Sequence, residues 1–353
     1  MAERCLRPRG RILLGALLST SLSTAAASEQ GRTVSRWIPV PTDVSPAAQA
    51  VLGGPLSPVA DIVPKTTEAW KEIIGQINAS TAESIVAPTR ALYPVRIEPR
   101  TIGGVPAFEV TPAGPIAGEN RDRVLINLHG GAYIVNGGGN AVLEAIPVAH
   151  LLRIRVIAVD YRMPPDHPFP AALEDAVAVY RAVVERHDPR HIGVYGTSAG
   201  GGLTAALLLR LRELSLPLPG AVGLIAPWSD LSETGDSLFT NAEIDPTLVT
   251  YDGILGAAAR LYAGDHDLKE PLVSPVYGSY AADMPPAFLL SSTRDLLLSG
   301  VVRLHRKLVA ADVETELHVF EALWHDFPVN PALPEARDAW DLLARFFDRR
   351  LAR

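Results

Sequence analysis

A chain of 353 residues, 48% hydrophobic and 20% charged, has the makeup of a folded enzyme-sized protein, with apolar material for one large α/β domain or two smaller ones. Its formal charge of −7, with no basic run after residue 27, argues against nucleic acid as a partner. One cysteine, Cys5, excludes a disulfide framework, and no H-E-x-x-H or EF-hand spacing supports a metal mechanism. No metal and no cofactor is expected.

The chain begins with a targeting pattern. Arg4, Arg7, Arg9 and Arg11 precede an apolar stretch at 12–22, and Ala25-Ala26-Ala27 offers an A-x-A cleavage site. That stretch is shorter than the roughly 20 residues a membrane span needs. A signal peptide over 1–27 is expected, with export to a periplasm or medium and no stable membrane insertion after cleavage. The rival reading is retention by an uncleaved N-terminal anchor. Cleavage would remove four Arg and one Glu, a charge of +3, so −7 becomes about −10. Cys5 lies ahead of the apolar stretch, so it is no lipobox cysteine, and the mature chain would carry no thiol.

Residues 28–65 are rich in Pro, Ala, Ser and Thr, with a short helix expected near 47–52. In the stretch T-T-E-A-W-K-E-I-I-G-Q-I-N-A-S, Trp70, Ile73, Ile74 and Ile77 share one helical face, and Thr66 or Thr67 caps its start. Residues 28–94 are accordingly assigned to an N-terminal segment with cap helices. From about residue 95, strand and helix patterns alternate. Strands are expected at 124–128, 155–159, 192–195, 222–226, 287–291 and 314–320, and helices at 170–185, 199–214, 301–311 and 334–350. Such alternation predicts a mostly parallel sheet flanked by helices, with sites at the C-terminal strand ends. The long connection at about 232–265, with its own helix near 250–262, reads as a cap insertion.

Gly196-Thr197-Ser198-Ala199-Gly200 fits G-x-S-x-G between a strand and a helix. That turn can hold a serine in a strained, exposed pose at a helix N-terminus, whose dipole favours a developing oxyanion. A plain small-residue turn remains the bland alternative. Leu128-His129-Gly130-Gly131-Ala132-Tyr133 follows another strand, where H-G-G supplies backbone N–H groups to an oxyanion hole. A serine hydroxyl needs a base. His325, after the last strand, and Asp295, after the one before it, complete the order Ser198, Asp295, His325, which is that of α/β-hydrolases. Asp230 and Asp326 compete with Asp295 for the acid. His129 reads as an anchor of its own loop, and His167 as part of a turn.

Taken together, His129-Gly130-Gly131, the run Asp160-Tyr161-Arg162 with Pro165, His167 and Pro168, Gly196-Thr197-Ser198-Ala199-Gly200-Gly201, Arg294-Asp295 and Trp324-His325 resemble the hormone-sensitive-lipase family of α/β-hydrolase esterases. The G-T-S-A-G form is similar to one bacterial branch. The likeness runs from about residue 95 to the C-terminus. It implies the α/β-hydrolase fold, a catalytic domain over 95–353, and a Ser198–Asp295–His325 triad. It also implies an oxyanion hole from Gly131, Ala132 and Ala199 shaped by Gly130, with the D-Y-R stretch as a brace. Ala132 stands where the family commonly has a third glycine, and Leu296 where Pro often follows the acid.

The implied function is serine carboxylesterase action on short- to medium-chain esters, extending to lactones or aryl esters. Two other functions stay open: a non-catalytic small-molecule-binding member of the fold, and amidase or peptidase action on the same triad. Trp70, Ile74 and Phe239 are candidates for a substrate pocket. The expected partner is a small-molecule ester, and a homodimer is what the family suggests.

Overall fold

Each central strand is short and apolar on both sides, the signature of a parallel strand covered twice over. In the computed structural model, which describes residues 34–35 and 37–352, eight strands form one sheet. They are β1 (Val95–Ile102), β2 (Val105–Pro112), β3 (Val124–Leu128), β4 (Arg155–Val159), β5 (Ile192–Thr197), β6 (Ala221–Ile225), β7 (Ala287–Ser292) and β8 (Thr315–Phe320). Their spatial order is β1-β2-β4-β3-β5-β6-β7-β8. The last six in that order are parallel, while β1 and β2 form an antiparallel hairpin that joins β4. This is the α/β-hydrolase fold. The six parallel strands were legible in the sequence and the hairpin was not. β1 is exposed or half-buried along its length, so no buried face marks it.

Among the described residues ten α-helices accompany the sheet: α1 (Pro46–Leu52), α2 (Thr67–Thr81), α3 (Ala87–Leu92), α4 (Ala145–Leu152), α5 (Ala171–Val184), α6 (Ser198–Glu213), α7 (Ser237–Thr240), α8 (Ile254–Ala263), α9 (Leu298–Ala310) and α10 (Pro334–Arg350). Alternate residues of β3 show how they are distributed. Val124, Ile126 and Leu128 join the core with Ala176 of α5, Leu203 of α6, Ala259 of α8 and Val301 of α9. Leu125 joins the opposite core with Ile146 of α4 and Leu343 of α10. Thr66 caps α2, accepting the Ala69 N–H at 3.2 Å, as its position predicts. A π turn at Ala82–Val86 then carries the chain from α2 into α3 with right-handed helical backbone throughout.

The register aligns the C-terminal strand ends. Leu128 lies level with Val159 and Gly196, Thr197 with Ile225, and Ser292 with Phe320. Residues that follow these positions gather on one edge. Residues Val40–Arg353 pack as one compact unit. The expected leader at 1–27, with Cys5 and its cleavage site, lies outside the described residues. Among the described residues no helix is long and apolar enough to cross a membrane.

Candidate active site

The turn from β5 to α6 is built around absent side chains. A Cβ on Gly196 would lie 2.2 Å from the Leu128 carbonyl oxygen, and one on Gly200 only 1.8 Å from it. The turn therefore packs directly on the end of β3, and Ser198 between the two glycines takes φ +51°. A non-glycine residue in the left-handed region is strained, and such strain is characteristic of active sites. Further along α6, a Cβ on Gly202 would meet the Trp228 carbonyl oxygen at 2.3 Å, which keeps the helix start close to the chain leaving β6.

Ser198 Oγ lies 2.9 Å from His325 Nε2, and His325 Nδ1 lies 2.9 Å from Asp295 Oδ1. All three residues are buried. Asp295 also accepts hydrogen bonds from Ser291 Oγ at 2.7 Å and from the Leu297 N–H at 2.8 Å. This arrangement fixes the tautomer: Nδ1–H donates to the carboxylate, and bare Nε2 faces the serine hydroxyl. Burial alone would lower the His325 pKa. The charge and hydrogen bond of Asp295, with Asp326 and Asp245 further off, outweigh burial and push it up to about 9.

The two rival acids do other work. Asp230 pairs with Arg303 and accepts from Ser232 Oγ at 2.6 Å and Tyr277 Oη at 3.1 Å. Asp326 lies beside Thr197 Oγ1, at 3.2 Å.

The loop after β3 carries three successive left-handed residues, Gly131 (φ +118°), Ala132 (φ +51°) and Tyr133 (φ +62°). Ala132 thus takes a left-handed backbone conformation that glycine adopts more readily. The N–H groups of Gly131, Ala132 and Ala199 take no protein partner among the described residues. Gly130 is the member of the set expected to shape the loop. Its N–H donates to Glu144 Oε1 at 2.6 Å, so it shapes the loop and is not available to an oxyanion. His129 is held by its own surroundings: Nδ1 contacts the Gly130 carbonyl at 2.8 Å, the ring stacks on Tyr161 at 4.2 Å, and Tyr161 Oη donates to the His129 carbonyl at 2.6 Å. Burial pushes its pKa down to about 4, so the ring is neutral. Arg162 in the same D-Y-R run clamps Asp175 through its backbone N–H, Nε and Nη2.

A cavity of about 540 Å³ opens onto Ser198, His325, Gly131 and Ala132. Its walls are mostly aliphatic, with Val59, Ile77, Ile85, Leu248 and Ile254 among them. The expected pocket residues are not these. Phe239 is 62% exposed on α7 and borders no part of the cavity. Trp70 and Ile74 pack in a cluster behind Ile134 and Val135, which do line it. The apolar face of α2 was read correctly, but only its last member, Ile77, reaches the cavity.

Two buried carboxylates around the triad were missed. Glu144 accepts from the Gly130 N–H, from Asn127 Nδ2 at 2.8 Å, from the Thr197 N–H at 3.2 Å and from Thr197 Oγ1 at 2.6 Å. It ties the H-G-G loop to the residue before the serine. Asp245, entirely buried, contacts the backbone of the acid and base loops. In sequence Glu144 sits in an apolar helical run and Asp245 before a proline, where each looks like an ordinary helix or turn residue.

The family described as alpha/beta hydrolase fold matches residues 125–329, more than half of the chain. The chain belongs to this family. Among its relatives is an acetyl-hydrolase of Streptomyces hygroscopicus, 31% identical over 287 residues that cover 79% of this chain and 95% of that one. An esterase of Acinetobacter venetianus is 28% identical, covering 71% of this chain and 82% of its own length. Of solved structures, that of an esterase superposes with a TM-score of 0.86 at 38% identity, covering 92% of this chain and all of that one. Another, an esterase from the bacterial hormone-sensitive lipase family, gives 0.69 at 30% identity over 82% of this chain and all of the other.

Proposed function

We propose that the protein is a serine carboxylesterase hydrolysing short- to medium-chain carboxylic esters by two-step acyl transfer. The observation that carries this reading is the relay of two 2.9 Å contacts, Ser198 Oγ to His325 Nε2 and His325 Nδ1 to Asp295, on a serine held at φ +51°. Ser198 attacks the ester carbonyl as Nε2 takes its proton, and Asp295 stabilises the imidazolium. The N–H groups of Gly131, Ala132 and Ala199 receive the oxyanion. His325 returns the proton to the leaving alcohol, and the acyl-enzyme is then hydrolysed by water activated at the same nitrogen. The residues named suffice for this chemistry without a cofactor. Relatives that are named esterases and acetyl-hydrolases support the ester as substrate, and an aliphatic cavity of about 540 Å³ suits a neutral acyl chain of modest length, with lactones and aryl esters within the same chemistry.

The same reading places the chain in the G-T-S-A-G branch of the hormone-sensitive-lipase family. It takes α1, the helical run of residues 67–92 and the 232–265 insertion as the cap, expects export after removal of residues 1–27, and expects a homodimer. The decisive test compares wild type with Ser198→Ala on p-nitrophenyl esters of increasing chain length, with a p-nitroanilide alongside. Expected are a loss on the order of 10⁴- to 10⁶-fold in kcat for Ser198→Ala, a maximum at short chains, and no anilide turnover. Equal rates in the two proteins on every ester would sink the proposal.

A further inference from the structure

The insertion after β6 does more than cover the cavity. Ser237, Asn241 and Asp245 recur at every fourth residue, and each grips the loop that carries Asp295. Ser237 Oγ donates to the Leu296 carbonyl at 2.7 Å, and Asn241 Nδ2 donates to the Asp295 carbonyl at 2.9 Å. Asp245 reaches two loops at once. Its Oδ2 accepts the N–H of Leu296 at 2.9 Å and the N–H of His325 at 3.0 Å. Its Oδ1 accepts the N–H groups of Thr247 at 2.9 Å and Leu248 at 3.2 Å.

Four N–H donors surround this wholly buried carboxyl; burial and the Asp295 charge push its pKa up, and the His325 charge with these donated hydrogen bonds favours the ionised form against them. The division of labour between its oxygens is informative. Oδ1 serves the local turn, as any Asp before a proline can do. Oδ2 serves only the backbone of residues 51 and 80 positions further along the chain. A turn former has no need of the second oxygen.

We infer that Asp245 is a positioning residue, locking the acid and base loops in mutual register and adding a second negative charge opposite the imidazolium that forms on His325. The inference rests on the hydrolase reading above. The titratable groups around His325 come from every side of the site. Asp295 bonds it from the β7 loop, Asp326 follows it in the chain, Asp245 faces it from the insertion, and Glu144 stands behind Thr197 on the elbow side. Removing one negative charge from this group makes the imidazolium less stable, so proton uptake by His325 shifts to lower pH.

The test uses the full chain as wild type, Asp245→Asn, Asp245→Glu and Ser198→Ala, assayed on p-nitrophenyl butyrate across pH. The downfield proton between His325 and Asp295 is followed by NMR in parallel. Asp245→Asn keeps an oxygen for the 247–248 turn but presents no charge to Leu296 and His325. Expected is a fall of about 10- to 100-fold in kcat with KM almost unchanged. The ascending limb of kcat/KM and the midpoint of the NMR titration should both move down by about one pH unit. Asp245→Glu, which restores the charge, should recover part of the loss.

A folded Asp245→Asn protein with wild-type kcat and an unmoved titration overturns the inference and leaves Asp245 a turn former. If Asp245→Asn does not fold, Asp245→Ser carries the same expectations and the same refutation. Should Ser198→Ala prove as active as wild type, the hydrolase reading is what has failed. The NMR midpoint, which needs no substrate, then still decides whether Asp245 acts on His325.

Discussion

Ser198 is legible as a nucleophile because its strain, its glycines and its partners leave separate marks in the sequence. The glycines mark a close approach, and the structure gives its size: Gly200 has no room for a methyl group, since a Cβ would stand 1.8 Å from one carbonyl oxygen and 2.6 Å from the next. Both obstacles are backbone, so neither can swing aside. Gly200→Ala is expected to destabilise the fold by about 3 kcal/mol or more, read as a lowered denaturant midpoint, and to displace Ser198. Wild-type stability in that variant would show that β3 can yield. Asp295 and His325 are legible for a simpler reason, because each follows an apolar strand. Glu144 and Asp245 are not, since their meaning lies in contacts to residues 53, 51 and 80 positions away. No local pattern records such a contact.

At the scale of elements, a burial period tells which face of a helix is covered and not what covers it. That is why α2 was read correctly while its pocket residues were misplaced, with Trp70 set behind the wall and Phe239 in solvent. The helical run of residues 67–92 contributes Ile77 and, from its π turn, Ser84 and Ile85 to the cavity wall. π turns are frequent at functional sites because they shift the face a helix presents by one residue. Ile85→Trp should fill part of the cavity and move the acyl-chain optimum toward shorter esters, with kcat on an acetyl ester close to wild type. An unchanged chain-length profile would remove Ile85 from the binding wall. The insertion carries a role that its length does not announce. Read as a cap, it is also bonded through its first half, at Ser237, Asn241 and Asp245, to the loops that carry Asp295 and His325.

For the whole molecule, His325, Asp326 and His129 are among the perturbed groups that make stability vary with pH. His325 binds its proton up to about pH 9 when folded, against 6.5 unperturbed, so the folded state holds more protons than the unfolded one between those values. Asp326, raised to about 8 chiefly by burial, adds to this. Stability therefore falls as pH rises through this range. His129 acts at the other end. Neutral in the fold down to about pH 4, it takes up its proton only on unfolding, so its own contribution to stability is lost below about pH 6.5, where the protonated Asp326 works in the opposite sense. In the proposed mechanism catalysis runs against the alkaline loss, because Ser198 needs His325 unprotonated. Thermal midpoint and kcat/KM, measured together from about pH 6.5 to about pH 9, should move in opposite directions. A midpoint that rises with pH would contradict the assignment, and Asp326→Asn should flatten its fall.

The contact between Ser198 and His325 spans 127 residues, and His325 comes only after β8, an outer strand of the sheet. Chain synthesis at about 5–20 residues per second brings His325 into being roughly 6–25 s after Ser198. On the proposed mechanism, the nascent chain has nothing to remove the serine proton throughout that interval. That mechanism makes the protein harmless to neighbouring esters until its last strand arrives, and its activity a timestamp for completion of the fold.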